Sequence, residues 1–106
     1  MITIALQQDE QQRYSGFCIS GHAESADEGY DLVCAAVSVL AQTAFLGLCH
    51  YGKKPAYEQR EGYFSIRLAE QNETTQVILE TMVLGLEEIV RQYGQYVVFD
   101  SKDNVL

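Results

Sequence analysis

Apolar and polar positions fall into seven stretches along the chain, each with its own period. Residues 2–6 (ITIAL) predict a short strand, closed by the polar turn QQDEQQ. Residues 14–20 predict a second, with Ser15, Phe17 and Ile19 on one face and Tyr14, Gly16, Cys18 and Ser20 on the other. A polar, acidic segment, GHAESADEGY, follows at residues 21–30. From Leu32 to Cys49 there is no charged side chain, and Asp31 stands before this run as an N-cap. The predicted helix ends near Tyr51–Gly52, with Lys53, Lys54 and Pro55 beyond it. Residues 56–60 and 63–68 predict a hairpin turning at Glu61-Gly62, with Phe64, Ile66 and Leu68 on one face. A second helix begins near Asn72 to Thr75 and carries Ile78, Met82, Leu86, Ile89 and Tyr93 as its apolar stripe, with Gly94 ending it. Residues 96–99 (YVVF) predict a last strand. The order β-β-α-β-β-α-β gives an α+β fold, two layers deep, with two helices on one mostly antiparallel sheet.

The uncharged run changes the picture in one respect. Its 18 residues reach the lower limit of a membrane span. Ser38, Gln42 and Thr43 near its middle, its small residues and the lack of a Lys or Arg flank at its start favour a buried helix and no membrane. A helix apolar on all sides needs cover on more than one. In a chain of 106 residues, the length of a single domain (1–106), that cover suggests a partner subunit.

Charge narrows the partners. Fifteen acidic against seven basic side chains give a net charge of −8, which leaves little to set against phosphates and argues against direct nucleic-acid binding. It favours a basic protein or peptide. The first residues, MITIALQQDEQQ, carry neither a basic n-region nor a long apolar h-region, so the expected location is cytoplasmic. Free thiols are then the expected state of Cys18, Cys34 and Cys49. On one helix Cys34 and Cys49 would lie roughly 22 Å apart, too far for a disulfide within the chain.

Two side chains carry candidate chemistry. His22 follows the end of the second strand. Cys34 stands three residues after the expected cap, near backbone N–H groups and the positive end of the helix dipole, both of which favour thiolate. A neighbouring imidazole can take the thiol proton, and the same N–H groups can donate to an oxyanion. The bland alternatives are a core cysteine and a solvated histidine. Cys18 and Cys49 read as core thiols, and His50 as a cation at a helix C-terminus.

Gly21-His22-Ala23, a short loop, and Asp31-Leu32-Val33-Cys34-Ala35-Ala36-Val37-Ser38 together resemble the signature of the ribosomal-processing cysteine proteases called Prp. The resemblance extends over nearly the whole chain. It implies a cytoplasmic, homodimeric bacterial endopeptidase that removes an N-terminal extension from large-subunit ribosomal protein L-twenty-seven. Carried over to this sequence, it implies Cys34 as nucleophile, His22 as general base and Gly21 as a hinge, with Asp31 and Ser38 supporting the site. No cofactor and no metal are implied.

Several roles stay open at this level. Asp31 is either a helix cap or the group that orients His22. Ser38, one turn beyond Cys34, bonds either substrate or the helix backbone. Glu24, Asp27, Glu28 and Gly29 lie in the expected substrate-binding loop, which is expected to be mobile and whose acids would attract a basic substrate; a solvated surface loop is the plain alternative. Two competing readings of the whole chain are a non-catalytic ribosomal-protein-binding or assembly factor and a metal or redox module built on Cys18, His22, Cys34 and Cys49. The spacing Cys18-x3-His22 without any CxxC is a poor start to a zinc site.

Overall fold

A computed structural model of the chain describes residues 1–21 and 28–100. The elements are β1 (Ile2–Gln8), β2 (Tyr14–Gly21), α1 (Glu28–Tyr51), β3 (Ala56–Arg60), β4 (Tyr63–Arg67), α2 (Glu73–Gln92) and β5 (Val97–Phe99). Their order is the expected β-β-α-β-β-α-β. The strands form one sheet in the order β3-β4-β2-β1-β5, antiparallel except where β5 runs parallel to β1.

Strand period assigns the two faces of that sheet. Ile2 and Ile4 of β1, Phe17 of β2, Phe64 and Ile66 of β4 and Val97 of β5 are buried, and both helices cover them. The register keeps them on one side, since Ile4 pairs with Ile19, Ile19 with Phe64 and Phe17 with Ile66. Cys18 pairs with Ala5 and Ser65 and therefore lies on the helix-free side. It is half-buried, as is Cys49, and neither belongs to the core. This corrects the expectation of core thiols: alternation along β2 assigns Phe17 and Ile19, and not Cys18, to the helix side.

Helix α2 starts at Asn72, whose side chain accepts from the Thr75 N–H at 2.9 Å while the Thr75 hydroxyl accepts from the Asn72 N–H at 2.9 Å. This reciprocal box fixes the start that the sequence left within a few residues. Leu79, Met82, Val83 and Leu86 form its buried face, and Tyr93, expected on the stripe, is an exposed C-cap.

Helix α1 begins three residues before Asp31, so Asp31 is its fourth residue and not its cap. Residues 28–30 join the helix because Tyr30 is a core residue, its ring set edge-on to Tyr96 at 6.2 Å, and because Gly29 passes so close to the Tyr96 hydroxyl that a Cβ would lie 2.6 Å from it. By length and composition α1 is apolar enough to cross a bilayer. Its face made by Tyr30, Val33, Val37, Ala41, Ala44 and Leu48 is buried. Gly85 of α2 faces Leu40, and Gly47 faces Ile78 of α2, so the two helices run antiparallel and pack closely at small residues.

The β1–β2 turn is held by one carboxylate. Asp9 accepts from the backbone N–H groups of Gln11 (2.9 Å) and Arg13 (3.0 Å) and from Arg13 Nε (3.0 Å). The Arg13 backbone bond is the largest of the effects that hold this carboxyl below its ordinary value of 3.8. A depressed folded-state pKa stabilises the protein fully above 3.8 and ceases to as pH falls through the lower folded value. The expected outcome is that Asp9→Asn shows a flatter loss of Tm below that pH than the wild type, as thermal melts across the acid range would show.

Candidate functional site

A cleft of about 650 Å³ lies between α1 and the β3–β4 hairpin, with the end of β2 at its base. Helical spacing builds one wall. Asp31, Cys34, Ser38 and Gln42 recur at intervals of three, four and four, about 100° around α1 from the buried stripe, and all four line the cleft. They are polar or polarisable side chains on a helix otherwise apolar over most of its length. Asp31 and Ser38 are exposed, while Cys34 and Gln42 are half-buried. Cys34 packs partly against the core and presents a free thiol to the cleft.

The opposite wall is the hairpin tip. Arg60 lies over the Tyr63 ring, 3.8 Å from its centroid, and ion-pairs with Glu58 on the same strand. Glu61-Gly62 forms the two-residue connection, with Gly62 at φ +74°. Gly21, the last residue of β2, donates its N–H to the Gly62 carbonyl at 3.0 Å. A Cβ on Gly62 would lie 2.6 Å from the Gly21 carbonyl oxygen. The missing Cβ of Gly62 thus lets the hairpin tip close directly onto the strand that leads into residue 22.

The expected site residues fall into three groups. Gly21, Asp31, Cys34 and Ser38 line one cleft. His22, Glu24 and Asp27, with the loop expected to be mobile, lie outside the described residues. Glu28 and Gly29, expected in that loop, are the first two residues of α1, and Gly29 faces Tyr96. The early start also alters the electrostatic picture. Cys34 is the seventh helical residue and lies beyond the four N–H groups that a helix leaves unpaired. The helix end therefore supplies no oxyanion donors at Cys34. Gln42, Gln59, Arg60 and Tyr63 also line the cleft and were not singled out as site residues. Helical spacing from Cys34 could have found Gln42; the hairpin residues required the strand order.

The thiols do not converge on a metal-like centre. Cys18 is on the helix-free face, Cys34 in the cleft and Cys49 in the last turn of α1. Among the described residues, no group of three or more His, Cys, Asp or Glu side chains is arranged to hold a metal ion.

The sequence model of the family described as cysteine protease Prp matches residues 1–98. The chain belongs to that family. The ribosomal processing cysteine protease Prp of Staphylococcus aureus is 28% identical over 106 residues, covering 96% of this chain and all of the relative. The Bacillus subtilis protein of the same name is 29% identical over 101 residues, covering 88% of this chain and 90% of the relative. Among solved structures, S. aureus Prp in complex with a substrate peptide superposes with a TM-score of 0.87 at 24% identity, covering 94% of this chain and 98% of that one. S. aureus Prp with a covalently linked product peptide gives 0.84 at the same identity, with both chains covered completely. These likenesses show the shared fold. Membership of Prp makes this chain a cysteine peptidase, and decides between that reading and a non-catalytic binding factor.

The Prp cleft here depends on the contact between Gly21 and Gly62. Gly62→Ala forces a non-glycine residue into the left-handed region and drives a Cβ into a backbone carbonyl. The expected cost is about 2 kcal/mol or more, a fall in Tm of roughly 8–16 °C by calorimetry.

Proposed function

We propose that this Prp-family peptidase is an endopeptidase that removes the N-terminal extension of ribosomal protein L-twenty-seven during ribosome maturation. The observation that carries the reading is Cys34: a free thiol opening into a cleft large enough for a peptide, in a chain of the cysteine protease Prp family. The names of its relatives supply the ribosomal substrate class.

In the proposed mechanism His22 takes the Cys34 proton, and the thiolate attacks the scissile carbonyl carbon. The tetrahedral intermediate collapses with cleavage of the C–N bond, and the imidazolium returns its proton to the leaving amine. A thioester remains on Cys34. His22 then removes a proton from water, the resulting nucleophile attacks the thioester, and the thiol is released with a free peptide carboxylate. His22 follows directly on Gly21, which lines the same cleft as Cys34. Asp31, no longer a cap, is free to orient an imidazole, and Ser38 is one turn from Cys34 along the cleft wall. The acids at Glu24, Asp27 and Glu28 are part of a net charge of −8, which suits a basic ribosomal segment. The reaction belongs to the cytoplasm, where ribosomes mature.

The proposed assembly is a homodimer. Leu32, Val39 and Leu46 repeat every seven residues along α1 and are 73%, 63% and 64% exposed. Val77 and Leu84 of α2, also seven apart, are 54% and 66% exposed. Both sets lie on the side of the helices away from the sheet. An apolar face of this extent on a soluble domain is a contact surface, and a second copy carries the same face.

Two outcomes are expected. Mass spectrometry of the L-twenty-seven precursor shows a single N-terminal cleavage with the wild type and none with Cys34→Ala; cleavage by the variant would remove Cys34 as nucleophile. Light scattering shows a dimer for the wild type and a monomer for Leu46→Glu/Leu84→Glu, whereas a dimer surviving in the double variant places the interface elsewhere.

A further inference from the structure

The hairpin that walls the cleft is also the edge of the sheet. Among the described residues nothing pairs with the outer side of β3, whose five residues are all exposed. The other edge, β5, is only three residues long. Natural sheets usually blunt a free edge with a bulge, a proline or a cover. Here Pro55 precedes β3, and the strand itself runs in continuous register with β4.

That register decides which backbone groups face outward. The hairpin closes at the pair Arg60–Tyr63 across a two-residue connection, so this pair exchanges both its N–H and C=O bonds. Alternation makes Glu58–Ser65 and Ala56–Arg67 the next hydrogen-bonded pairs. The N–H and C=O groups of Tyr57 and Gln59 therefore point away from β4, toward the open edge. Their side chains share the helix side of the sheet with Ile66 and Phe64, and the Tyr57 ring packs edge-on against Phe45 of α1 at 4.9 Å. Gln59 lines the cleft together with Cys34, Ser38 and Gln42.

From this juxtaposition we propose that the substrate polypeptide docks by adding a strand to the outer edge of β3, bonding the backbone of Gln59 and Tyr57. The occupant is an extended peptide because the edge runs without a break into the cleft that holds the nucleophile, Gln59 and Arg60 belonging to both. Every backbone has the N–H and C=O groups that an edge recognises, so the edge supplies affinity. The side chains that the added strand turns toward Gln59 and Gln42 supply selectivity. The inference rests on the peptidase reading and adds where the chain is held.

Steady-state cleavage of a synthetic peptide spanning the L-twenty-seven extension and its cleavage site tests it. Gln59→Pro removes an outward N–H while leaving every bond to β4 in place, a substitution that edge strands tolerate. The expected result is a KM raised roughly 2- to 10-fold with kcat retained, and a smaller rise in Gln59→Ala, which keeps the N–H. A scan of singly N-methylated peptides against the wild type is the second arm, and it stands even where Gln59→Pro does not fold. Losses should alternate with a period of two on one side of the scissile bond. A scan without alternation, or a folded Gln59→Pro with unchanged KM, overturns strand addition while leaving the peptidase reading intact. A change in oligomeric state with KM unchanged assigns the edge to a second copy and also overturns it. Failure of the wild type to cleave the peptide removes the substrate reading and this inference together.

Discussion

The rotational phase of α1 is the constraint on which the rest of the structure depends. Its buried stripe, from Tyr30 through Val37 to Leu48, seats the helix on the sheet in a single orientation. Once that orientation is fixed, each other function follows by angle. About 100° to one side, Asp31, Cys34, Ser38 and Gln42 come to face the cleft. To the other side, Leu40 and Gly47 meet α2. Opposite the sheet, Leu32, Val39 and Leu46 face outward. A turn of one residue would bury the cleft stripe and carry the core stripe off the sheet. Hydrophobic burial of Val33, Val37 and Leu48, each worth about 1.5–3 kcal/mol when fully buried, with Tyr30 and two alanines beside them, therefore holds Cys34 at the cleft.

The second wall depends on backbone geometry. The hairpin tip is held to the end of β2 by the Gly21–Gly62 hydrogen bond, and that approach is open only to a residue without a Cβ at position 62. The two walls are thus fixed by different physics: apolar packing sets α1, and steric permission sets the hairpin. They meet over Gly21, the residue that leads into His22. A cleft between independently fixed walls can keep its width while loops around it vary.

These two kinds of constraint were not equally legible in the sequence. Periodicity gave the elements and their order, because core faces recur at 2 and at 3.6 residues regardless of tertiary detail. The hairpin at Glu61-Gly62 and the α2 start at Asn72 were readable for the same reason, as local chemistry. The start of α1 lies earlier than its local sequence predicts. Asp31 is a good cap beside an apolar run, but Tyr30 and Gly29 are held in the helix by Tyr96, some 66 residues away in sequence. That earlier start removes the helix-end activation of Cys34 as well. Cys18 was assigned to the core on its residue type, whereas strand alternation placed it on the open face. The hairpin's share of the cleft depends on the strand order β3-β4-β2, which no local pattern encodes.

With the helix dipole out of reach of Cys34, the proposed activation of its thiol rests on side chains. The cleft wall supplies a carboxylate one turn before the thiol, at Asp31, and a hydroxyl one turn after it, at Ser38. Asp31 has no capping duty to compete with an orienting one. In the proposed mechanism, a carboxylate that orients the imidazole would also stabilise the imidazolium formed when the thiol gives up its proton. The early start of α1 therefore removes one electrostatic argument and strengthens another. It moves Asp31 from the cap of the helix to the wall of the cleft.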